Sequence, residues 1–555
     1  MIRENIDEEE RFGHSVGAYE RERFARIERN RALMEKLGVA PLSQRLETFL
    51  PARPSSSKPA GHLKRPRKVD SVASQLETGV EPVTATPRRR SLRVRGIAPE
   101  GTEQGATGST LMNASAEEDR KTTGPILEDQ RFAELALRDY GADLEPSDED
   151  TDVGDIDDSS LRLRRVRAFR RAWHDLSPTS AAISTRESSM DAERFKSWTL
   201  DEKTGFLKLV PARIYSAVMF PRTDAWTIAV GDKAGHVGIA ITSFDLPDTL
   251  PVHVLSMRVH RDTTAGLAVL SHGPCARRLL SVSYDGSARV LDLEKEMVET
   301  VLADNQERIL KTVVPSSLNE DVFWTTASHR SLGGFIMRHD LRQDQKSFDV
   351  FRIADCRVYS IDLQYGRTSS TAVGHEGLLA VTTAREGVLV FDPRRMEGGA
   401  IRRAAPKPLY TLPHTRAVTG ANWSPSGTRL LTTCYDDLLR VWRHDGNDFP
   451  LEHRFVHNNH TGRWVTPFDA QWDPTTDHKL FACGSMNHNT EHGVDLFNTE
   501  VTRRTVWQRL TGEPMTAIAA VLAWHPAGVA LAGCTASGRV YLWGESNGLE
   551  EERLL

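Results

Sequence analysis

Asn422-Trp423-Ser424-Pro425, Gln471-Trp472-Asp473-Pro474 and Ala523-Trp524-His525-Pro526 are three versions of one phrase, recurring at a period of roughly 50 residues. Each is followed by a short apolar run, a polar turn and a strand-like run ending in an aromatic. In the first copy Leu430-Leu431-Thr432-Thr433-Cys434 passes through Tyr435-Asp436-Asp437 to Leu439-Arg440-Val441-Trp442. Self-similarity at this period marks a β-propeller, with one four-stranded blade per unit. Such folds present loops more often than they perform chemistry.

Working outward, the 555-residue chain is 39% hydrophobic, below the ~45–50% of a compact globule. The deficit is uneven. Up to about Arg194 the chain is rich in Arg, Glu, Asp, Ser and Pro, whereas Val, Ile, Leu and Thr dominate afterwards. Three regions are expected: a charged helical region over 1–50, a disordered linker with basic and acidic blocks over 51–194, and an all-β propeller over 195–555. The last length, divided by the repeat, gives about seven blades.

Ile214 to Phe220 opens blade 1, which turns at Gly231-Asp232-Lys233-Ala234-Gly235. Blade 2 turns at Tyr284-Asp285-Gly286-Ser287, and blade 3 ends near His339-Asp340-Leu341-Arg342. Blade 4 runs from Val358 to Phe391-Asp392, and blades 5 to 7 carry the repeated phrase. Alternation within each run fits half-buried strands. The segment 195–210 is expected to supply the outer strand that closes the ring and removes an exposed edge.

The net charge of −5 averages opposing blocks. A basic stretch holds Arg88, Arg89, Arg90, Arg93 and Arg95, Glu145 to Asp158 is acidic, and Arg162 to Arg171 is basic again. The stretch Pro87 to Gly96 reads as a nuclear import signal, a nucleic-acid contact or both, the alternative being an arginine-rich linker that is neither. Residues 19–37 read as a helix with apolar Phe24, Ile27, Met34 and Leu37 and a terminal Gly38. The five scattered cysteines show no metal-ligand spacing and read as reduced core thiols. The charged start of the chain opens no signal peptide and no apolar run spans a membrane, so an intracellular, soluble protein is expected.

No phosphate loop, HExxH, GxSxG or dinucleotide fingerprint is present. No enzyme activity, cofactor, metal or small-molecule substrate is therefore expected. The loops carry the chemistry instead. In a blade with strands a to d, the d–a connections and b–c turns open on one face, the a–b and c–d turns on the other. Arg213, Arg261, Arg357, Arg416 and Arg463 precede strand a in five blades, and Lys233 lies in a b–c turn. Such a ring suits a phosphate backbone, the alternative being a solvated rim. Arg277, Arg278 and Arg429 fall on the other side. The connection into blade 6, His457-Asn458-Asn459-His460-Thr461-Gly462-Arg463-Trp464, sets a cation beside a large aromatic. Trp464 reads either as a base-stacking probe or as ordinary core.

The helix Tyr19 to Leu37, the segment Ser91 to Gly96 and His457-Asn458-Asn459…Gly462-Arg463-Trp464 resemble the fungal DNA damage-binding WD-repeat family, whose metazoan relative is a nuclear WD-repeat protein. The resemblance implies a seven-bladed WD-repeat propeller that binds single- and double-stranded DNA, prefers ultraviolet-damaged DNA, and acts in the nucleus, with the cytoplasm as a second location. DNA contacts are then expected from Arg213, Lys233, Arg261, Arg357, Arg416, His457, Arg463 and Trp464, supported by the basic arm. A more distant likeness, through Leu409 to His414 and Gly427 to Thr433, is to the small subunit of the UV-damaged-DNA-binding complex. It implies DNA-facing Arg213, Lys233, Arg357 and Arg416, and sets a lesion-probing hairpin on Gly462-Arg463-Trp464. That family docks to a cullin-ligase adaptor through a Trp-Asp-x-Arg box. Here Asp392 with Arg394, and Asp340 with Arg342, lack the tryptophan. Chromatin proteins and the ligase adaptor are the candidate protein partners, and no membrane partner is expected. The rival reading is a protein-interaction scaffold or ligase substrate receptor with no DNA affinity of its own.

Overall fold

The computed structural model describes residues 128–137, 158–175 and 192–545, less short stretches at 197, 201–205, 223–224, 243–251, 271–275, 317, 345–346, 366–376, 397–405, 447, 487–491 and 503. The expected helix over 19–37 and the basic arm lie outside the described residues.

Seven antiparallel sheets form the body: five have four strands in sequence order, blade 2 carries an additional edge strand, and blade 7 takes its outer strand from the chain before blade 1. The innermost strands of successive blades touch all the way round: Ile214–Met219, Thr264–Val269, Ile309–Pro315, Val358–Leu363, Val418–Trp423, Gln471–Trp472, Ala519–Trp524, and back to the first. The ring is closed, and the protein is a seven-bladed β-propeller. Middle strands are sandwiched between neighbouring blades and so read as unbroken apolar runs. All of Trp226–Asp232 is buried, as is all of Ala530–Thr535.

The repeated phrase has a structural reason. Its tryptophan ends the innermost strand, and its proline starts the a–b turn. The Trp472 indole N–H donates to the Asn422 carbonyl at 3.0 Å and that of Trp524 to the Gln471 carbonyl at 3.4 Å. These two indoles stitch blades 6 and 7 to the blades before them. The b–c turns need a residue with positive φ. Gly235 (φ 87°) serves blade 1, where a Cβ would sit 2.1 Å from the His260 carbonyl oxygen. Blade 5 uses Asp437 (φ 61°) at the same place.

Trp198–Leu200 and Phe206–Lys208 both pair with Arg539–Glu545, forming the outermost strand of blade 7. The ring is therefore closed by the segment expected to close it. Phe195 sits fully buried against Trp198, Trp507 and Trp524.

The expected linker over 51–194 does not hold for two stretches within it. Gln130–Arg131 adds a fifth strand to the outer edge of blade 2, pairing with Val298 and Met297. Helix α1 (Phe132–Leu135) follows, and Ala136 bridges to Met257 of blade 1. This segment staples two blades and covers their edges. Helix α2 (Asp158–Asp175) packs on blade 1 through Val166, Phe169, Ala172 and Trp173, all on one face. Trp173 meets Phe220 edge-on at 5.9 Å, with the Arg222 guanidinium 4.5 Å over its ring. The six arginines on its other positions made this helix look like a charge block.

Arg289 explains why the staple matters. It is fully buried in blade 2, and its guanidinium donates to the Val259 carbonyl (2.8 Å), the Glu128 carbonyl (2.7 Å) and Gln130 Oε1 (3.1 Å). Two of those three acceptors come from the segment outside the propeller, and a buried guanidinium without them is costly.

Candidate nucleic-acid interface

In blades 1, 2, 4 and 5 the b–c turn is zipped to the loop leading into the same blade. Lys233 N–H donates to the Arg213 carbonyl, Tyr284 to Thr263, Ala384 to Arg357 and Tyr435 to Ala417, at 2.9 to 3.1 Å. The expected cations of blades 1, 2, 4 and 5 thus share one face with the turns. Lys233, Arg261, Arg357, Arg416 and Arg463 are exposed and Arg213 is half-buried. Arg330 and Arg385, exposed in the b–c turns of blades 3 and 4, belong to the same rim. They were legible from their spacing to the turn glycines, as Lys233 was. The rim is mixed, since Asp262, Asp355, Glu386 and Asp437 are also on it, with Asp355 90% exposed at its side chain.

The connection into blade 6 is anchored at both ends. Asn459 donates its backbone N–H to Asp437 Oδ1 (3.0 Å) and its amide to the Cys434 carbonyl (2.8 Å), which ties the loop to blade 5. Arg213 Nη1 donates to the Arg463 carbonyl (3.0 Å) and Thr466 Oγ1 to the Ile214 carbonyl (2.6 Å), which ties its far end to blade 1. Gly462 (φ 69°) turns the tip. Trp464 is 75% exposed, with the Arg463 guanidinium 5.2 Å over its ring. It is not core.

His457 does not fit its expected role. It is buried, hydrogen-bonded to Asn459 Oδ1 at 2.7 Å, and packed against Phe468 and Phe497. Burial opposes its charge, but Cys483, Asp495 and Asn459 outweigh burial and raise its pKa. His457 holds the base of the loop and cannot reach a ligand.

Four half-buried tyrosines border the channel mouth and were not singled out from sequence. The Arg213 guanidinium lies 4.8 Å over Tyr215, which meets Tyr284 edge-on at 6.3 Å. Lys311 Nζ is 4.2 Å from the Tyr359 ring, and Tyr435 lies 6.3 Å from His460. Burial pushes the Tyr284 and Tyr435 phenols up, so both remain protonated donors at neutral pH. Tyrosine in a strand reads as β propensity, and only ring closure shows that blades 1, 2, 4 and 5 aim theirs at one opening.

On the opposite face the two Asp-x-Arg pairs form the same clasp. Asp392 accepts the backbone N–H of Arg394 (3.0 Å) and its guanidinium (2.8 and 2.9 Å). Asp340 does the same for Arg342, at 3.0, 2.9 and 2.6 Å. Arg394 is held by its own turn and Arg342 also reaches Asp321 at 3.9 Å, with the two side chains 53% and 63% exposed. Among the described residues no cluster of His, Cys, Asp and Glu could hold a metal, and no helix is long and apolar enough to cross a membrane. Cys434, Cys483 and Cys534 are buried free thiols.

A further network runs through blade 5. His414 Nε2 and the Trp442 indole N–H both meet Thr432 Oγ1, at 3.0 and 3.2 Å, while Thr415 Oγ1 donates to Asp436 at 2.7 Å. Burial draws His414 down to about 4, so it stays neutral. His260, Ser281 and Ser287 repeat the motif in blade 2. The family model described as WD domain, G-beta repeat matches residues 406–443, the span of this network. Blade 5 is a WD repeat. The WD-repeat propeller is similar to WD repeat-containing protein 76 of Xenopus laevis, 27% identical over 68% of this chain and 61% of that protein. It is also similar to the DNA damage-binding protein cmr1 of Neurospora crassa, 28% identical over 63% and 67%, and to CMR1 of Phaeosphaeria nodorum, 24% identical over 95% and 98%. The matched region thus spans about three fifths of the frog protein's length.

Proposed function

We propose that this WD-repeat propeller binds DNA, single- or double-stranded and with preference for ultraviolet-damaged duplex, through the face of its d–a loops and b–c turns, without enzymatic activity and in the nucleus. The carrying observation is Trp464: exposed, paired with Arg463, and tethered between blades 5 and 1 beside the channel mouth. Lys233, Arg261, Arg357, Arg416, Arg330 and Arg385 supply phosphate contacts around it. Trp464 inserts where damage has weakened stacking. Unstacking a step costs roughly a few kcal/mol in intact duplex and less at a lesion, so the preference comes from the DNA. The names of the fungal relatives agree with this reading.

The acidic groups on the rim favour a second reading, a protein-interaction scaffold or a cullin-ligase substrate receptor. A gel-shift titration with damaged and undamaged duplexes at two salt concentrations separates the two. DNA binding predicts a steep salt dependence and a damaged-over-undamaged ratio above one, and deletion of 51–96 should flatten the salt slope. Absence of binding at low salt overturns the DNA reading.

A further inference from the structure

The tyrosine-bordered mouth of the channel holds two cations without a carboxylate of their own. Arg213 donates to two neutral groups, the Arg463 carbonyl and the Tyr215 hydroxyl, while its Nε is buried with no partner. Lys311, on the innermost strand of blade 3, sets its Nζ 4.2 Å from the Tyr359 ring. Like Arg213, it makes no ion pair among the described residues. Burial draws the Lys311 ammonium down to about 7, against the more distant charge of Asp469. Tyr284 links the two cations. Its phenol feels the charges of Arg213 and of Asp262 on the rim, and it neighbours both Tyr215 and Tyr359. Among the described residues its hydroxyl has no hydrogen-bond partner.

A desolvated cation without a carboxylate favours an anion. Two such cations and a free phenol donor favour an anion with two charges and several acceptor oxygens. A phosphodiester inside a DNA strand carries one charge. A phosphomonoester at a strand end carries about 1.5–2 at neutral pH and offers three acceptor oxygens. Position agrees with charge. A strand crossing the ring leaves its internal phosphates on the rim, where Lys233, Arg357 and Arg416 are exposed, but an end can point its phosphate into the mouth. Arg213 also holds the Arg463–Trp464 loop, so the site is continuous with the proposed DNA face. We propose, resting on the DNA reading above, that the channel mouth binds the terminal phosphomonoester of a DNA strand, with Lys311 and Arg213 as its counter-ions and the Tyr284 hydroxyl as a donor.

The test is fluorescence anisotropy of the full chain with internally labelled single-stranded oligothymidines that end in 5′-phosphate, in 3′-phosphate, or in hydroxyls at both ends. A hydroxyl-ended strand one nucleotide longer supplies the added charge without a monoester. One phosphate-ended strand or both should bind about tenfold tighter than either hydroxyl-ended strand, as expected for hydrogen bonds to a charged group. The arm that does so names the end. Lys311→Met keeps the length of the side chain without its charge and should bring that ratio toward one, with the hydroxyl-ended strands bound as before. Tyr284→Phe removes only the hydroxyl and should lower the ratio about threefold. Melting temperatures are measured alongside, and Tyr284→Phe decides if Lys311→Met fails to fold. Lys233→Glu, on the rim, should weaken all strands together and leave the ratio intact. Equal binding of phosphate-ended and hydroxyl-ended strands overturns the site, as does a ratio that survives the deciding variant, and either result leaves the DNA reading standing. Failure of every single strand to bind also overturns the site, and the damaged duplex run in parallel tells whether the DNA reading falls with it.

Discussion

Arg213, in the loop leading into blade 1, donates a guanidinium N–H to the backbone carbonyl of Arg463, in the loop leading into blade 6, at 3.0 Å. The same guanidinium lies over the Tyr215 ring. One side chain thus fixes the position of the Arg463–Trp464 pair and joins it to the tyrosines of the channel mouth. The proposed probe is held by tertiary contacts as well as by its own backbone.

Trp464→Ala should leave stability within about 0.5 kcal/mol of wild type, as for surface substitutions generally. The damaged-over-undamaged binding ratio should fall toward one, with most non-specific affinity retained. A folded variant whose damage preference is intact removes Trp464 as the probe. Lys233→Glu or Arg357→Glu should instead weaken both substrates together.

Thr466→Val deletes the hydroxyl that reaches the Ile214 carbonyl, and so loosens the loop without touching its tip. Leaving that acceptor unpaired should cost about 1–3 kcal/mol. Competition gel shifts should show a reduced damage preference at an unchanged salt slope. A preference equal to wild type would mean that the tether does not position the probe.

Trp173→Ala should destabilise the propeller by about 3–5 kcal/mol, because a buried indole is replaced by a cavity. A fragment starting at 195 should melt below one starting at 127, since it also strips the acceptors from Arg289. Chemical denaturation of the two fragments checks this. Equal midpoints would show that the staple and α2 are dispensable.

The pH dependence has a definite sign at Asp362. Burial, opposed by the Trp423 and Leu363 N–H groups and aided by the charge of Asp469, pushes its carboxyl up to about 7. The folded state therefore holds this proton more tightly than the unfolded chain, whose carboxyl titrates near 3.9. The stability that the group contributes is full below the unfolded value and is lost as pH rises toward 7. Asp362→Asn should lack that decline. Melting temperatures of both proteins between pH 5 and pH 8 decide it, and parallel curves would sink the assignment.

Arg394→Ala opens a clasp on an exposed side chain and should cost no more than about 1 kcal/mol, and Arg342→Ala should leave the propeller folded. DNA gel shifts should be unchanged. Pull-down of the cullin-ligase adaptor decides whether either clasp is a docking box. Equal recovery with wild type, or none with either, removes that role.

The sequence by itself determined the blades. The Trp-x-Pro phrase, the glycine turns and the apolar runs are local signals with a fixed period, because each blade must fit between two copies of itself. It also placed the loop cations on one face, since the direction of strand a settles which loops open where. Tertiary structure alone decided the rest. His457 and Trp464 stand seven residues apart in one polar loop, yet one is buried against Phe497 and the other is exposed, because only the fold supplies the aromatic pocket and the tether from Arg213. The arginines of α2 hid its apolar face for the same reason. A stripe as narrow as Val166, Phe169, Ala172 and Trp173 has meaning only once blade 1 is there to receive it.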